Sequence, residues 1–218
     1  MTSSARRYAV LVPAKPAVVA KSRLGGLGDG VRRELAVAFA TDTVSSVLAS
    51  DLVARVLVVT DDVVLADSMT RLGAQVLPDG TSDLNGSLAQ AAAELRRQDS
   101  TLRLAAVCAD LPALRPSELS AALEAADPDG MSFVSDQERV GTTAVMSPGI
   151  ETFLPGFGGG SRRRHLDGGA HEVDGIDVPS LRRDVDDPDD LRAAMRLGVG
   201  PATTAVTAAL GPLRTVEP

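Results

Sequence analysis

Apolar positions along this chain follow two rhythms. Short, mostly apolar runs, Tyr8-Ala-Val-Leu-Val12, Val53–Val59 and Leu104–Cys108, are separated by stretches in which apolar side chains recur every three or four residues. A Val-rich continuous run of this length predicts a strand buried on both faces, and the longer spacing predicts a helix with one buried stripe. Val37, Ala40, Val44, Val47 and Leu48 form such a stripe on a helix predicted from about Arg32 to Ala49, after Gly25, Gly26, Gly28 and Gly30. Leu88, Ala91 and Leu95 mark a second stripe, and Leu119, Ala122, Leu123 and Ala126 a third. Val63–Leu72 reads as a short helix, Gln75–Leu77 as a strand, and Met131–Ser135 and Thr142–Met146 as later strands, the second introduced by Gly141. The Gly- and Arg-rich stretch Phe157–Gly169 is expected to be an ordered loop. Asp187-Pro188 opens a last clear helix, with Pro at its first position and acids in its first turn. Residues 198–218 are expected to hold a short helix and a loose tail.

Strands alternating with helices predict an α/β three-layer sandwich around a mostly parallel central sheet. At 218 residues the chain is expected to be one domain, residues 1–218, with 1–7 and about 211–218 as loose termini. Aromatic residues make up only 2% of the chain, so the core must be built from Val, Leu and Ala. The formal charge of −7 argues against a nucleic-acid surface, which needs a basic face. No stretch is apolar for long enough to span a membrane, and the start lacks a signal-like apolar core, so a cytoplasmic protein is expected. The single cysteine, Cys108, excludes an internal disulfide framework, and its apolar neighbours suggest an inert buried thiol.

The two lysines, Lys15 and Lys21, both fall just after the first apolar run, with Arg23 beside them; every other strong cation is an arginine. In open α/β sheets ligands bind beyond the carboxyl ends of the strands, and compact cations at such an end suit a polyphosphate. The loop is not a Walker A motif, and Gly26-Leu-Gly28 is not a dinucleotide fingerprint, since no strand leads straight into it. Asp110, in Ala109-Asp-Leu-Pro112, follows the Leu104–Cys108 run, where it either holds a hard divalent cation or caps the next turn. In Asp184-Val-Asp186-Asp-Pro188, Asp184 and Asp186 share a side if the segment is extended; Asp187 is the natural helix cap, and a solvated acidic turn is the plainer reading. Spacing does not say whether Asp184 meets Asp110. Gly156-Phe-Gly-Gly-Gly-Ser161-Arg-Arg-Arg-His165 is either an anion cradle of backbone amides, hydroxyl and arginines or a flexible basic loop. His165 and His171 lack zinc-ligand spacing and read as ordinary loop residues. Asp61-Asp62, after Thr60, either binds a ligand or a metal, or Asp62 simply starts the next helix.

Taken in order, Pro13-Ala-Lys15, Ala20-Lys-Ser-Arg-Leu24, Asn85-Gly-Ser-Leu88, Asp110-Leu-Pro112, Gly141-Thr-Thr-Ala144, Gly158 to Ser161 and Asp184-Val-Asp186 resemble the guanylyltransferases of coenzyme F-420 biosynthesis, which act on phosphoenolpyruvate or 2-phospho-L-lactate. The resemblance spans roughly Tyr8 to Gly200. It implies a nucleotidyltransferase fold like that of sugar-nucleotide enzymes, with Asp110 and Asp184 holding magnesium. Thr143, Gly158 and Ser161 would contact the phosphorylated three-carbon acid. Lys21, with Lys15 and Arg23, would face the GTP phosphates, and Asn85 and Ser87 would lie near the nucleotide. Lys21, Asp110 and Asp184 are thus the expected catalytic residues. Ala109, where relatives often carry Gly, and Ser22, where Thr is common, depart from the pattern without removing a proposed ligand. The Arg- and Ala-rich composition favours phosphoenolpyruvate by association only. The rival readings are transfer to another acceptor, such as the molybdenum cofactor, and a GTP-binding module without turnover. A homo-oligomer fits either.

Overall fold

The structure is a computed structural model that describes residues 8–14, 24, 27–81 and 83–210. The elements run β1 (Tyr8–Pro13), α1 (Asp29–Leu48), β2 (Val53–Val59), α2 (Val63–Leu72), β3 (Gln75–Leu77), α3 (Leu84–Gln98), β4 (Arg103–Val107), α4 (Pro116–Ala125), β5 (Ser132–Ser135), β6 (Thr142–Ser147), α5 (Ser161–Asp167), β7 (His171–Glu172), α6 (Pro179–Arg182), α7 (Pro188–Leu197) and α8 (Pro201–Leu210), with a 3-10 turn at Ile150–Thr152. The strands form one sheet in the order β3-β2-β1-β4-β6-β5-β7. β1 pairs in parallel with β2 and β4, β2 with β3, and β5 with β7; β6 runs antiparallel between β4 and β5.

The Val-rich runs become central strands because both of their faces are covered. Along β1, Tyr8, Val10 and Val12 join a cluster that includes Ala40 and Val44 of α1, Met69 of α2 and Leu119 and Leu123 of α4. Ala9 and Leu11 face the opposite layer, where α3 contributes Leu88, Ala91 and Leu95. The expected three-layer α/β sandwich follows from that alternation. A third cluster, with Leu35, Phe39, Val185, Leu191 and Ala194, fixes α7 against α1. Predicted strand and helix boundaries hold closely, and Asp62 does cap α2, its carboxylate accepting from the amides of Val64 and Leu65. No helix among the described residues is long and apolar enough to cross a membrane.

Three expectations need correction. Phe157–Gly169 is not all loop, since it contains α5. Gly160, at φ 68°, supplies the left-handed step that turns the chain into that helix. Ser161 and His165, one turn apart, bury its inner face, while Arg163 pairs with Asp167 and Arg162 with Glu172. His165 is therefore a buried helical residue and not an ordinary loop residue. Cys108 is only half-buried, and its neighbourhood is a cleft instead of a sealed core.

Candidate active site

Chain order reverses between β1 and β4. From β1 the chain builds outward through β2 and β3, then returns to place β4 on the other side of β1. The carboxyl ends of those two strands open a crevice, the general ligand position of such sheets. A cleft of about 270 Å³ lies there, lined among others by Pro13 and Ala14 after β1, Cys108 and Asp110 after β4, Leu65, Leu84, Phe157 and Asp186. Lys15, Lys21 and Arg23 lie outside the described residues; Ala14, the last described residue before them, lines the cleft.

Backbone contacts hold Asp110 in place. Thr43 of α1, completely buried, accepts at Oγ1 from the Leu111 amide (3.0 Å) and donates to the Ala109 carbonyl (3.2 Å), so one hydroxyl brackets Asp110 on both sides. The Asp110 carbonyl accepts from the Val185 amide at 3.1 Å. That bond brings the Asp184–Asp186 segment against the end of β4. Val185 is buried in the third core cluster, with half-buried Asp184 and exposed Asp186 on either side of it. The cleft lining includes Asp186 and Asp110 but not Asp184. Downstream, the Asp190 carboxylate accepts from the amides of Asp186 (3.1 Å) and Asp187 (3.3 Å), and Asp187 completes a capping box on α7. Asp187 is thus a structural cap, as its position before Pro188 predicts.

The set of carboxylate oxygens suits a hard divalent cation. Among the described residues no group of three or more His, Cys, Asp or Glu could hold a metal ion. An ion here would take one or two carboxylates and fill its remaining positions with phosphate oxygens and water, which is the usual binding mode of magnesium.

β6 and α5 lie beside this site; Phe157, in the chain between them, lines the cleft, whereas Thr143, Gly158 and Ser161 are not part of its lining. β6 runs antiparallel to β4, so its start lies beside the end of β4: the Cys108 amide donates to the Thr143 carbonyl at 2.8 Å. Thr143 is completely buried, and Ser161 nearly so. Gly158 has φ 112°, a conformation open to glycine and strained for other residues. Thr142, next to Thr143, shares a 3.0 Å hydrogen bond with Nδ1 of His165. The His165 ring stacks on Phe133 and meets Phe157 edge-on. Burial, reinforced by the neighbouring Arg164 charge, pushes the His165 pKa down to about 4, so the ring is neutral at pH 7. Beyond it, Glu172 accepts from Arg162 and Arg139 and ties α5 to β7.

Asn85 and Ser87, expected near the nucleotide, lie in the first turn of α3. Ser87 is buried and donates to the Leu84 carbonyl of its own helix at 2.9 Å. The Asn85 side-chain amide bonds to the backbone of Phe157. Residue patterns gave no role to Thr43. A signal existed: Thr43 lies one turn from both Phe39 and Val47, a polar side chain inside a buried stripe.

Sequence and fold comparisons agree with this architecture. Residues 8–207 match the family described as "Guanylyl transferase CofC like". The chain is similar to the phosphoenolpyruvate guanylyltransferase of Thermomonospora curvata, 47% identical over 205 residues that span 92% of this chain and 89% of that protein. It is similar also to the enzyme of the same name from Streptosporangium roseum, 46% identical over 94% of this chain and 92% of that protein. Among solved structures, the fold is similar to a putative nucleotide-diphospho-sugar transferase from Desulfovibrio desulfuricans (TM-score 0.62, 14% identity, 87% of this chain and 96% of that one). A nucleotidyl transferase from Methanothermobacter thermautotroptrophicus is similar as well (TM-score 0.60, 18% identity, 88% and 97%). At those identities the structural likeness speaks for the nucleotidyltransferase fold alone.

Proposed function

We propose that this chain, which belongs to the CofC-like guanylyl transferase family, transfers GMP from GTP to the phosphate of phosphoenolpyruvate and releases pyrophosphate, as a cytoplasmic step of coenzyme F-420 biosynthesis. The observation that carries the reading is the Val185-to-Asp110 backbone bond, which joins two acidic segments distant in the chain at the switch-point cleft. The names of the relatives supply the acceptor.

In this mechanism a phosphate oxygen of the acid attacks the α-phosphorus of GTP. One phosphorus–oxygen bond forms as the bond to the β-phosphate bridge breaks, and pyrophosphate leaves with the electron pair. The attacking oxygen is already anionic, so no general base is needed, in keeping with a site whose nearest histidine is buried and neutral. Catalysis then rests on positioning and charge neutralisation. Asp110 and Asp184 are the proposed magnesium ligands, with Asp186 at the cleft rim; magnesium bound there would offset charge on the triphosphate oxygens. Lys21, with Lys15 and Arg23, is proposed to face those phosphates. Thr143, Gly158 and Ser161 are proposed to seat the acid.

The test is a mass-spectrometric assay of the purified protein with GTP, magnesium and either phosphoenolpyruvate or 2-phospho-L-lactate. A guanylylated acid and equimolar pyrophosphate are expected with phosphoenolpyruvate. Product only with 2-phospho-L-lactate would replace the acceptor, and product with neither would sink the reading.

A further inference from the structure

Asn85, the second residue of α3, reaches across 72 positions of sequence to Phe157. Its Oδ1 accepts from the Phe157 amide at 2.9 Å, and its Nδ2 donates to the Phe157 carbonyl at 3.1 Å. One side-chain amide therefore satisfies both backbone groups of one residue, much as a neighbouring strand would. The other side-chain bonds to this turn come from Arg164 of α5, which donates to the carbonyls of Gly156 and Gly159 and, at 3.4 Å, to that of Phe157 as well. Among the described residues, Asn85 is the only side chain outside residues 156–167 that hydrogen-bonds the backbone of residues 156–160.

The residue so held is the last fixed point before a turn of glycines. Gly158 and Gly160 both sit at positive φ, and the turn ends at Ser161, the first residue of α5. Three consecutive glycines have wide backbone freedom, so the course of the turn depends on how its two ends are anchored. Ser161 is buried at one end, and the Phe157 peptide is pinned by Asn85 at the other. Turning the Asn85 amide toward a nucleotide would take from the Phe157 amide its Asn85 partner and leave the carbonyl with the longer Arg164 bond, with Phe157 only 5% exposed.

We propose that Asn85 is a positioning residue for the acceptor side and not a nucleotide contact: it pins the Phe157 peptide and thereby sets the Gly158–Ser161 turn. The inference rests on the functional reading above, in which that turn seats the phosphorylated acid. It assigns to α3 the task of holding the acceptor wall.

The test compares Asn85→Ala and Asn85→Asp with the unmodified enzyme by steady-state pyrophosphate release. Losing two hydrogen bonds is expected to raise KM for phosphoenolpyruvate about tenfold, with KM for GTP changed by less than about twofold. Asn85→Asp keeps the bond to the Phe157 amide but sets a carboxylate oxygen against the Phe157 carbonyl, so it should not rescue the acceptor KM. An unchanged acceptor KM, or a rise confined to GTP, would overturn the proposal. Amide hydrogen exchange of the unmodified protein gives a second readout that needs no variant to fold. The Phe157 amide should be protected without ligand and stay protected when GTP binds; loss of protection on GTP binding would mean that Asn85 turns to the nucleotide. An enzyme inactive with either acid would overturn the functional reading alone, and the exchange measurement would still decide whether Asn85 holds Phe157.

Discussion

Thr43 concentrates the residue-scale argument. Its hydroxyl accepts from one flank of Asp110 and donates to the other, so the course of the backbone at Asp110 depends on a group in α1, distant in sequence. Thr43→Val keeps the shape and deletes both bonds. The Leu111 amide is then buried without its partner, at a cost of about 1–3 kcal/mol. Because small misplacements of a positioning group cost large factors in rate, kcat is expected to fall about tenfold or more. A higher magnesium concentration for half-maximal pyrophosphate release should accompany the fall. A variant that loses stability but keeps the rate and the magnesium dependence would reduce Thr43 to a packing residue. Local chemistry of this scale was partly legible in the sequence. Asp62 and Asp187 show themselves as caps, because a cap bonds its own next turn. Thr43, Asn85 and His165 do not, because each acts on a segment far away in sequence, and only the folded topology says which one.

At the scale of elements, the apolar rhythm was enough to locate β2, α2 and β3, whose side chains meet the layers that the pattern demands. α5 was hidden because a run of glycines and arginines carries no apolar stripe; its buried face is a serine and a histidine. α8 was foreseen only as a short helix, and its anchor lies in α1. Asp42, nearly fully buried, accepts from the amides of Ala202 (3.0 Å) and Thr203 (2.8 Å) and so caps α8 from a neighbouring helix. Gly200 allows that approach, since a Cβ there would stand 2.4 Å from the Asp42 carboxyl carbon. Asp42→Ala is expected to lower stability by about 2 kcal/mol, through two uncapped amides, one of them fully buried. Urea unfolding would show the loss. KM for either substrate should not change, because no residue of α8 lines the cleft. Unchanged stability would mean that α8 is held by its apolar contacts alone.

For the molecule as a whole, the charges and the fold meet in its response to acid. Burial and the Arg164 charge keep His165 neutral down to about pH 4 in the folded protein, against an ordinary value of 6.5. Between those values the unfolded chain binds the extra proton and the native protein does not, so stability falls as the pH drops across that window. The full shift corresponds to about 3 kcal/mol, present above pH 6.5 and lost by pH 4. Glu172 acts lower. Its burial disfavours the charge, but hydrogen bonds from Arg162, Ser135 and Arg139 outweigh that and hold its pKa at about 2, against 4.5. Its contribution is complete above pH 4.5 and disappears as the pH falls through 2. The two windows overlap between about pH 4 and 4.5, so urea unfolding of the native protein should show stability declining from pH 6.5 downward without a plateau. His165→Phe keeps a ring against Phe133 and Phe157 and removes the titrating nitrogen. It loses the bond to Thr142, a pH-independent cost, yet its stability should stay flat from pH 6.5 to about 4.5 and fall only below that. Parallel curves for the two proteins across the upper window would show that the acid response arises elsewhere. A flat variant curve would assign the loss of stability in the upper window to protonation of the His165 ring.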